Sequence, residues 1–115
     1  MAVIYQPCNQ FGGQEPLSGK PLKDSIDQFF EKNDFPLTDN QYWLVKDEVV
    51  GENITPLFDW LISELPKTSL FSWSDSISWN WEKFVIVDGK PTKRYGTLDN
   101  PMNWEKQVQD WIDSI

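Results

Sequence analysis

With 115 residues, the chain is long enough to bury one small hydrophobic core but not two, so we expect a single domain over residues 1–115. Eighteen acidic against ten basic side chains give a net charge of −8, which repels phosphate backbones and anionic membrane surfaces and so disfavours nucleic-acid and membrane partners. The absence of histidine excludes the usual zinc sites and His-dependent catalytic triads, and the single cysteine, Cys8, cannot form an internal disulfide.

The first half of the sequence predicts a strand, a loop and a helix. Residues 2–5 are short and rich in β-formers, and a loop rich in Gly, Gln and Pro follows them through Lys20. Pro21 suits a first helical turn, and this helix should end near Asn33. Its predicted apolar stripe consists of Leu22, Ile26, Phe29 and Phe30. Residues 42–50 mix β-formers with charges, so that a strand and an irregular loop both remain open.

A second helix and a loop follow. Thr55 before Pro56 is a good helix start, and an apolar face continues until Pro66 ends the pattern. Residues 67–78 are serine-rich but too aromatic to be disordered, which predicts a surface loop held by aromatic anchors. These anchors are Phe71 and Trp73.

The last part of the chain predicts a hairpin and a helix. Residues 84–87 form a β-prone run, Asp88 and Gly89 form the turn, and residues 92–95 form the return strand. Asn100 can cap a final helix, which the following proline can start. Its apolar side carries Trp104, Val108, Trp111, Ile112 and Ile115. This order of elements is typical of an α/β fold in which helices cover both faces of a mixed sheet.

Three stretches resemble the glutathione peroxidase family. Residues 7–16 read Pro-Cys-Asn-Gln-Phe-Gly-Gly-Gln-Glu-Pro, which resembles the loop after the family's second core strand. Residues 79–84, Trp-Asn-Trp-Glu-Lys-Phe, are similar to the family's Trp-Asn-Phe-x-Lys-Phe box and lead into a hairpin that ends Lys-Arg-Tyr-Gly. Residues 50–58 resemble the family's Val-Asn-Gly to His-Pro-Leu-Phe passage, with Thr55 where histidine is usual. The resemblance covers nearly the whole chain and implies a thioredoxin-like, three-layer α/β fold.

The resemblance implies that Gln14, Trp79 and Asn80 are catalytic, because they match three members of the family's catalytic tetrad. Their amide and indole groups are neutral hydrogen-bond donors, which suits them to stabilise a thiolate or selenolate and to steer a departing hydroxide. Taken alone, Trp79 would be a structural anchor, and the two amides would be ordinary turn residues. Only the motif context makes them site residues, and Gly12 and Gly13 would permit the turn that aims Gln14.

The fourth member of the tetrad, a peroxide-attacking cysteine or selenocysteine, has no match. The family places it further upstream of Gln14 than the thirteen residues present here. We therefore expect an N-terminally truncated, incomplete fold that lacks the first βα unit with its central strand. Such a chain should be unstable, aggregate, or pair the strands at residues 2–5 and 84–87 directly, because both would otherwise expose unpaired backbone groups.

The implied function is thiol- or selenol-dependent reduction of hydrogen peroxide or organic hydroperoxides in the response to oxidative stress. The reductant would be glutathione or another thiol, with no cofactor and no metal. Thioredoxin-dependent relatives carry a resolving cysteine in the region that corresponds to residues 24–48, and this chain has none there. Cys8 is expected to be auxiliary, so the chain by itself should be inactive. The alternative is a catalytically inactive thioredoxin-fold binding module.

Two further expectations concern the oligomeric state and the location of the protein. The loop at residues 66–77 is short, which resembles the monomeric branch of the family. No targeting signal and no run of about eighteen apolar residues is visible, which favours a cytoplasmic location.

Overall fold

The computed structural model describes residues 1–36, 38–67 and 74–115. These residues divide into two compact units, Met1–Glu48 and Val49–Ile115. The single domain expected from the length of the chain stays a prediction. The expected loop anchors Phe71 and Trp73 lie outside the described residues.

The first unit contains a short pair of strands and one helix. Strand β1 spans Val3–Tyr5, helix α1 spans Gly19–Lys32, and strand β2 spans Gln41–Trp43. β1 and β2 pair in parallel. The predicted first strand and first helix are confirmed. The open segment at residues 42–50 begins inside β2 and then continues without helix or strand.

Aromatic packing joins the helix to the strands in the first unit. Tyr5 of β1 stacks on Trp43 of β2, with ring centroids 4.1 Å apart. Phe30 of α1 meets Trp43 edge to face at 6.0 Å. The predicted stripe of α1 is buried at Leu22, whereas Phe29, near the end of the helix, is 57% exposed. The fully buried residue of α1 is therefore near the start of the helix, while its end packs through Phe30.

The second unit contains two helices and a hairpin. Helix α2 spans Pro56–Glu64, strands β3 and β4 span Lys83–Val87 and Lys90–Tyr95, and helix α3 spans Glu105–Asp113. The predicted helix, hairpin and final helix are confirmed. The final helix differs in its first turn, Pro101–Trp104, which is a 3₁₀ turn. No helix in the described part of the chain is long and apolar enough to cross a membrane.

The hairpin forms because its turn residues suit a two-residue connection. Asp88 and Gly89 have φ of 50° and 74°, and the favoured type I′ turn requires positive φ at both positions. Val85 faces Lys93 and Ile86 faces Pro91, so Thr92 is the extra residue of a bulge. A proline in a strand is found at edges and bulges because it has no N–H to donate to the ladder.

The strand pairing is simpler than one mixed sheet. The described residues form two two-stranded sheets, β1 with β2 and β3 with β4. Within each unit, a strand pairs with its neighbour in chain order, and the two-residue turn between β3 and β4 keeps the entropy cost of loop closure small. Direct pairing of β1 with β3, one of the outcomes expected from the sequence, would join the two units and stays a prediction.

Candidate functional site

Gln14 follows a tight turn in the loop between β1 and α1. Gly12 and Gly13 have φ of 71° and 59°, in the left-handed region that glycine enters without steric cost. A Cβ on Gly13 would meet no atom within 4 Å, so backbone conformation rather than crowding requires glycine there. The amide N–H of Glu15 donates to Asn9 Oδ1 at 2.9 Å, which ties the far side of the turn. The Gln14 side chain itself is exposed.

Cys8 lies in the same loop as a free, half-buried thiol. Its Sγ accepts a hydrogen bond from the backbone N–H of Gln10 at 3.4 Å. The side chain of Gln10 donates in turn to Glu48 Oε1 at 3.3 Å. The sulfur therefore belongs to the internal bonding of the loop, and its auxiliary role stays a prediction.

Trp79 and Asn80 lie in a loop that leads into β3. Trp79 is 46% exposed, and Asn80 is half-buried. The backbone N–H of Ser78 donates to Glu82 Oε2 at 3.2 Å, which closes the loop around the three residues between them. The third of these, Trp81, has a φ of 66°, an uncommon value for a bulky side chain. We call residues 78–82 the Trp-Asn loop.

A buried ion pair holds the Trp-Asn loop against β4. Arg94 donates from Nε to Glu82 Oε1, and its Nη2 lies within ion-pair range of the same oxygen but out of line for a hydrogen bond. The two side chains are only 6% and 4% exposed. Arg94 Nη1 donates to the carbonyl oxygen of Leu65, just after α2, at 3.1 Å. The guanidinium also lies 5.1 Å from the ring centroid of Phe84.

A lysine next to Glu82 also fixes the open end of the hairpin, where β3 begins and β4 ends. The ammonium group of Lys83 donates to the carbonyl oxygens of Gly96, Thr97 and Asp99 at 3.1, 3.0 and 2.8 Å. All three of its protons are thus used within the turn that follows β4. The Lys-Phe half of the box at residues 79–84 therefore serves to fix the hairpin, while the Trp-Asn half presents side chains.

A groove of about 180 Å³ lies in the first unit, between α1 and the residues that follow β2. Its lining is mostly apolar and includes the two lysines Lys23 and Lys46. A hydrogen bond to Asp27, together with the charge of that carboxylate, raises the pKa of Lys23 above its ordinary value. Gln14 does not line this groove.

The sequence-predicted site residues fall in both units. Trp79 and Asn80 are neighbours in the second unit, and Gln14 belongs to the first. The convergence of all three on one point stays a prediction. Within residues 1–36, 38–67 and 74–115, no cluster of three or more His, Cys, Asp or Glu side chains is arranged to hold a metal ion.

Relatives named as glutathione peroxidases align with almost the whole chain, although no protein-family profile matches it. "Probable glutathione peroxidase 2" of Arabidopsis thaliana is 36% identical over 110 residues, 95% of this chain. "Probable phospholipid hydroperoxide glutathione peroxidase" of Citrus sinensis is 33% identical over 115 residues, 99% of this chain. "Glutathione peroxidase-like peroxiredoxin gpx1" of Schizosaccharomyces pombe is 35% identical over 111 residues, 93% of this chain. These matches make the chain a relative of the glutathione peroxidases over nearly its whole length.

The shared region is only part of each relative. The chain spans 59% of the length of the Arabidopsis glutathione peroxidase, 62% of the Citrus protein and 61% of the Schizosaccharomyces protein. Glutathione peroxidases are oxidoreductases, so these relatives belong to that enzyme class. The resemblance drawn from the three sequence stretches is thereby confirmed.

A solved structure supports the fold of a glutathione peroxidase. The crystal structure of Trgpx in its apo form matches 96% of this chain and 78% of its own, with a TM-score of 0.56 and 22% sequence identity. At this identity the likeness concerns the fold alone, which is thioredoxin-like and mixes helices with strands. The α/β class expected from the order of elements is confirmed.

Two residues that shape the Trp-Asn loop were not predicted from the sequence. Glu82 and Arg94 lie inside the stretches that resemble glutathione peroxidases, yet neither was singled out. Charged residues in a hairpin are usually solvated, so their charge alone gives no signal of burial. The available signal is their position: Glu82 lies just before β3 and Arg94 pairs with Phe84 near the end of β4, which brings the two close together once the Asp88-Gly89 turn sets the register.

Proposed function

We propose that this chain supplies the hydrogen-bond donors of a glutathione-peroxidase-like site. Gln14, Trp79 and Asn80 fill that role in a protein that reduces hydrogen peroxide or organic hydroperoxides in the response to oxidative stress. The observation that carries the proposal is the Trp-Asn loop. It is a family box held in a defined shape by a closing hydrogen bond and a buried ion pair, in a chain related to that family.

The proposed chemistry requires an anion and neutral donors around it. A thiolate or selenolate attacks one peroxide oxygen, the O–O bond breaks, and the departing hydroxide or alkoxide takes up a proton. Two external thiols then reduce the resulting sulfenic or selenenic acid, with release of water and formation of a disulfide. An amide and an indole N–H donate to the anion without becoming charged themselves. Each such bond contributes about 1.5 to 3 kcal/mol, so three donors in a dry site would lower a thiol pKa by several units.

We place the peroxide-attacking cysteine or selenocysteine outside these 115 residues. Support comes from the sequence, because Cys8 is its only thiol and matches the auxiliary cysteine of the family's Pro-Cys-Asn-Gln stretch. The half-buried position of that sulfur and its bond from Gln10 also suit a supporting role. By this proposal the chain alone reduces no peroxide.

Glutathione is the proposed reductant, since no cysteine occurs between residues 24 and 48 to resolve an oxidised nucleophile for thioredoxin. No cofactor is required, because two external thiols supply the two electrons as they form a disulfide. We propose a monomer in the cytoplasm.

The test starts from the native gene product. We expect its intact mass to exceed 13.5 kDa, the mass of this chain, and the reading frame upstream of Met1 to encode a cysteine or an in-frame UGA in a strand-to-helix context. That protein should consume peroxide with glutathione. Replacing Trp79 with Phe or Asn80 with Ala should lower its kcat/KM by about tenfold to a hundredfold each, because each removes one donor to the anion. The matched control is Trp81→Phe, which alters the neighbouring indole, 70% exposed.

The alternative function, a catalytically inactive binding module, predicts a different outcome. A native product with the mass of this chain, a stable fold and no peroxide consumption with glutathione or thioredoxin would overturn the peroxidase proposal. A protein partner recovered by pull-down would then point to the remaining scaffold function. If Trp81→Phe and Trp79→Phe lowered kcat/KM equally, Trp79 would have no special role as a donor.

A further inference from the structure

The geometry points to Glu82 and Arg94 as positioning residues that hold the Trp-Asn loop in the shape that presents Trp79 and Asn80. This inference rests on the proposed function for the role of the two presented side chains. The contacts that fix the shape of the loop do not depend on that role, and all of them lie in the second unit, within residues 49–115.

The first step is the closure of the loop by the Glu82 carboxylate. Its Oε2 accepts the backbone N–H of Ser78 at 3.2 Å, across four positions in sequence. Trp79, Asn80 and Trp81 lie between the two ends. Because closure uses a side chain rather than the backbone, the shape of the loop depends on the identity of residue 82.

The second step is the attachment of the closed loop to the rest of the unit. Arg94 binds the other carboxylate oxygen of Glu82 and reaches the carbonyl oxygen of Leu65 at 3.1 Å. Phe84 lies under the guanidinium and meets Phe58 of α2 edge to face, with ring centroids 5.9 Å apart. One arginine therefore joins α2, β4 and the Trp-Asn loop.

The third step is the need for a carboxylate at position 82. Both groups that face it, the Ser78 N–H and the Arg94 guanidinium, are donors, and a carboxylate is an acceptor at both oxygens. An amide would place its NH₂ group against one of these donors. Glu82→Gln therefore fits the space but cannot serve both partners. With the side chains only 4% and 6% exposed, little water is available to replace the lost bond.

The fourth step separates positioning from simple stability. A buried ion pair contributes little net stability against well-packed apolar side chains of similar volume. Glu82→Met combined with Arg94→Met should therefore leave a folded protein. Neither methionine accepts the Ser78 N–H strongly, so the loop loses its closure while the core stays filled.

The experiment compares this chain with Glu82→Gln, the double methionine variant and Tyr95→Phe by ¹H–¹⁵N NMR and hydrogen exchange. The indole resonance of Trp79 is assigned by its disappearance in Trp79→Phe. Tyr95→Phe is the matched control, because it removes a partly buried hydrogen bond from the same strand without touching the loop. Urea unfolding of each variant gives the global stability.

We expect both variants at position 82 to shift the Trp79 indole and Asn80 side-chain resonances. They should also speed hydrogen exchange of the Ser78 amide by about tenfold more than the change in global stability accounts for. Tyr95→Phe should leave these signals in place. Unchanged loop signals in Glu82→Gln would overturn the inference, and that single variant decides the matter if the double variant does not fold. Since none of these measurements uses peroxide, failure of the proposed function appears only in the activity assay, and failure of the positioning role appears only here.

Discussion

Tyr95 is a buried side chain whose protonation depends on the fold. Its ring stacks on Trp104 with centroids 3.6 Å apart, and its hydroxyl donates to Gln107 Oε1 at 2.9 Å. Burial disfavours the charged phenolate, and the nearby carboxylate of Asp99 opposes it further, so that the pKa of Tyr95 is raised above its ordinary value of 10.0.

The raised pKa predicts a loss of stability at high pH. A group whose pKa is higher in the folded state contributes its full stability below the unfolded-state pKa and loses it as the pH rises through the folded-state value. We therefore expect the free energy of unfolding to fall more steeply above about pH 10 in this chain than in Tyr95→Phe. Urea unfolding followed by fluorescence from about pH 8 to 12 measures this difference. Tyr42→Phe, at a tyrosine that is 52% exposed, is the control, and parallel curves for Tyr95→Phe and the unaltered chain would contradict the prediction.

At the scale of residues, the sequence predicts what neighbouring residues determine and misses what distant pairing determines. Gly12 and Gly13 form the expected turn because their conformational freedom is a local property. Glu82 and Arg94 are 12 positions apart, and only the register of the hairpin brings them together. Their burial follows from that pairing and from packing on Phe84, which no local pattern contains. The roles of Gln14, Trp79 and Asn80 come from family resemblance and stay predictions.

Helix α2 shows how a single side chain sets the start of an element. Thr55 has extended backbone, with φ of −61° and ψ of 146°, and its Oγ1 accepts the N–H of Phe58 at 3.4 Å. Pro56 occupies the first helical position, where the missing N–H has no cost. In the sequences that this chain resembles, histidine is usual at the position of Thr55, so the cap is a local solution of this chain.

We expect Thr55→Ala to lower the free energy of unfolding by about 1 kcal/mol, because it leaves an N–H at the start of the helix without its side-chain acceptor. Thr55→Ser keeps the hydroxyl and should recover most of this loss. Chemical unfolding monitored by circular dichroism measures both variants. Equal destabilisation by Ala and Ser would mean that the methyl group of Thr55, rather than its hydrogen bond, stabilises the start of α2.

At the scale of elements, prediction succeeds where a turn or cap signal bounds a periodic run. The hairpin is predicted because Asp88 and Gly89 favour one turn type, and α2 is predicted because Thr55 and Pro56 mark its start. Residues 42–50 could not be assigned because only pairing with β1 makes their first part a strand. The 3₁₀ turn before α3 was also missed, since its apolar spacing resembles that of an α-helix over a single turn.

On the scale of the whole molecule, the described residues of the two units differ in how many apolar side chains they bury fully. The buried apolar side chains of the first unit's described residues are Phe11 and Leu22. Those of the second unit are Val49, Leu61, Ile77 and Tyr95. A small unit buries a smaller share of its surface, and its stability is correspondingly marginal. Composition could predict that a core forms, but the order of stability within the chain depends on which side chains meet.

This difference predicts that the first unit opens more readily than the second. We expect the amide protons of α1 to exchange at least about tenfold faster than those of β3 and β4, after correction for intrinsic rates, because local opening exposes less apolar surface there. Native-state hydrogen exchange measured by mass spectrometry tests this. Thr55→Ala provides the internal control: it should speed exchange in α2, β3 and β4 and leave α1 unchanged if the units open separately. The opposite outcome is that both units are equally protected and that Thr55→Ala lowers the protection of both. That result would show that the chain unfolds as one cooperative domain.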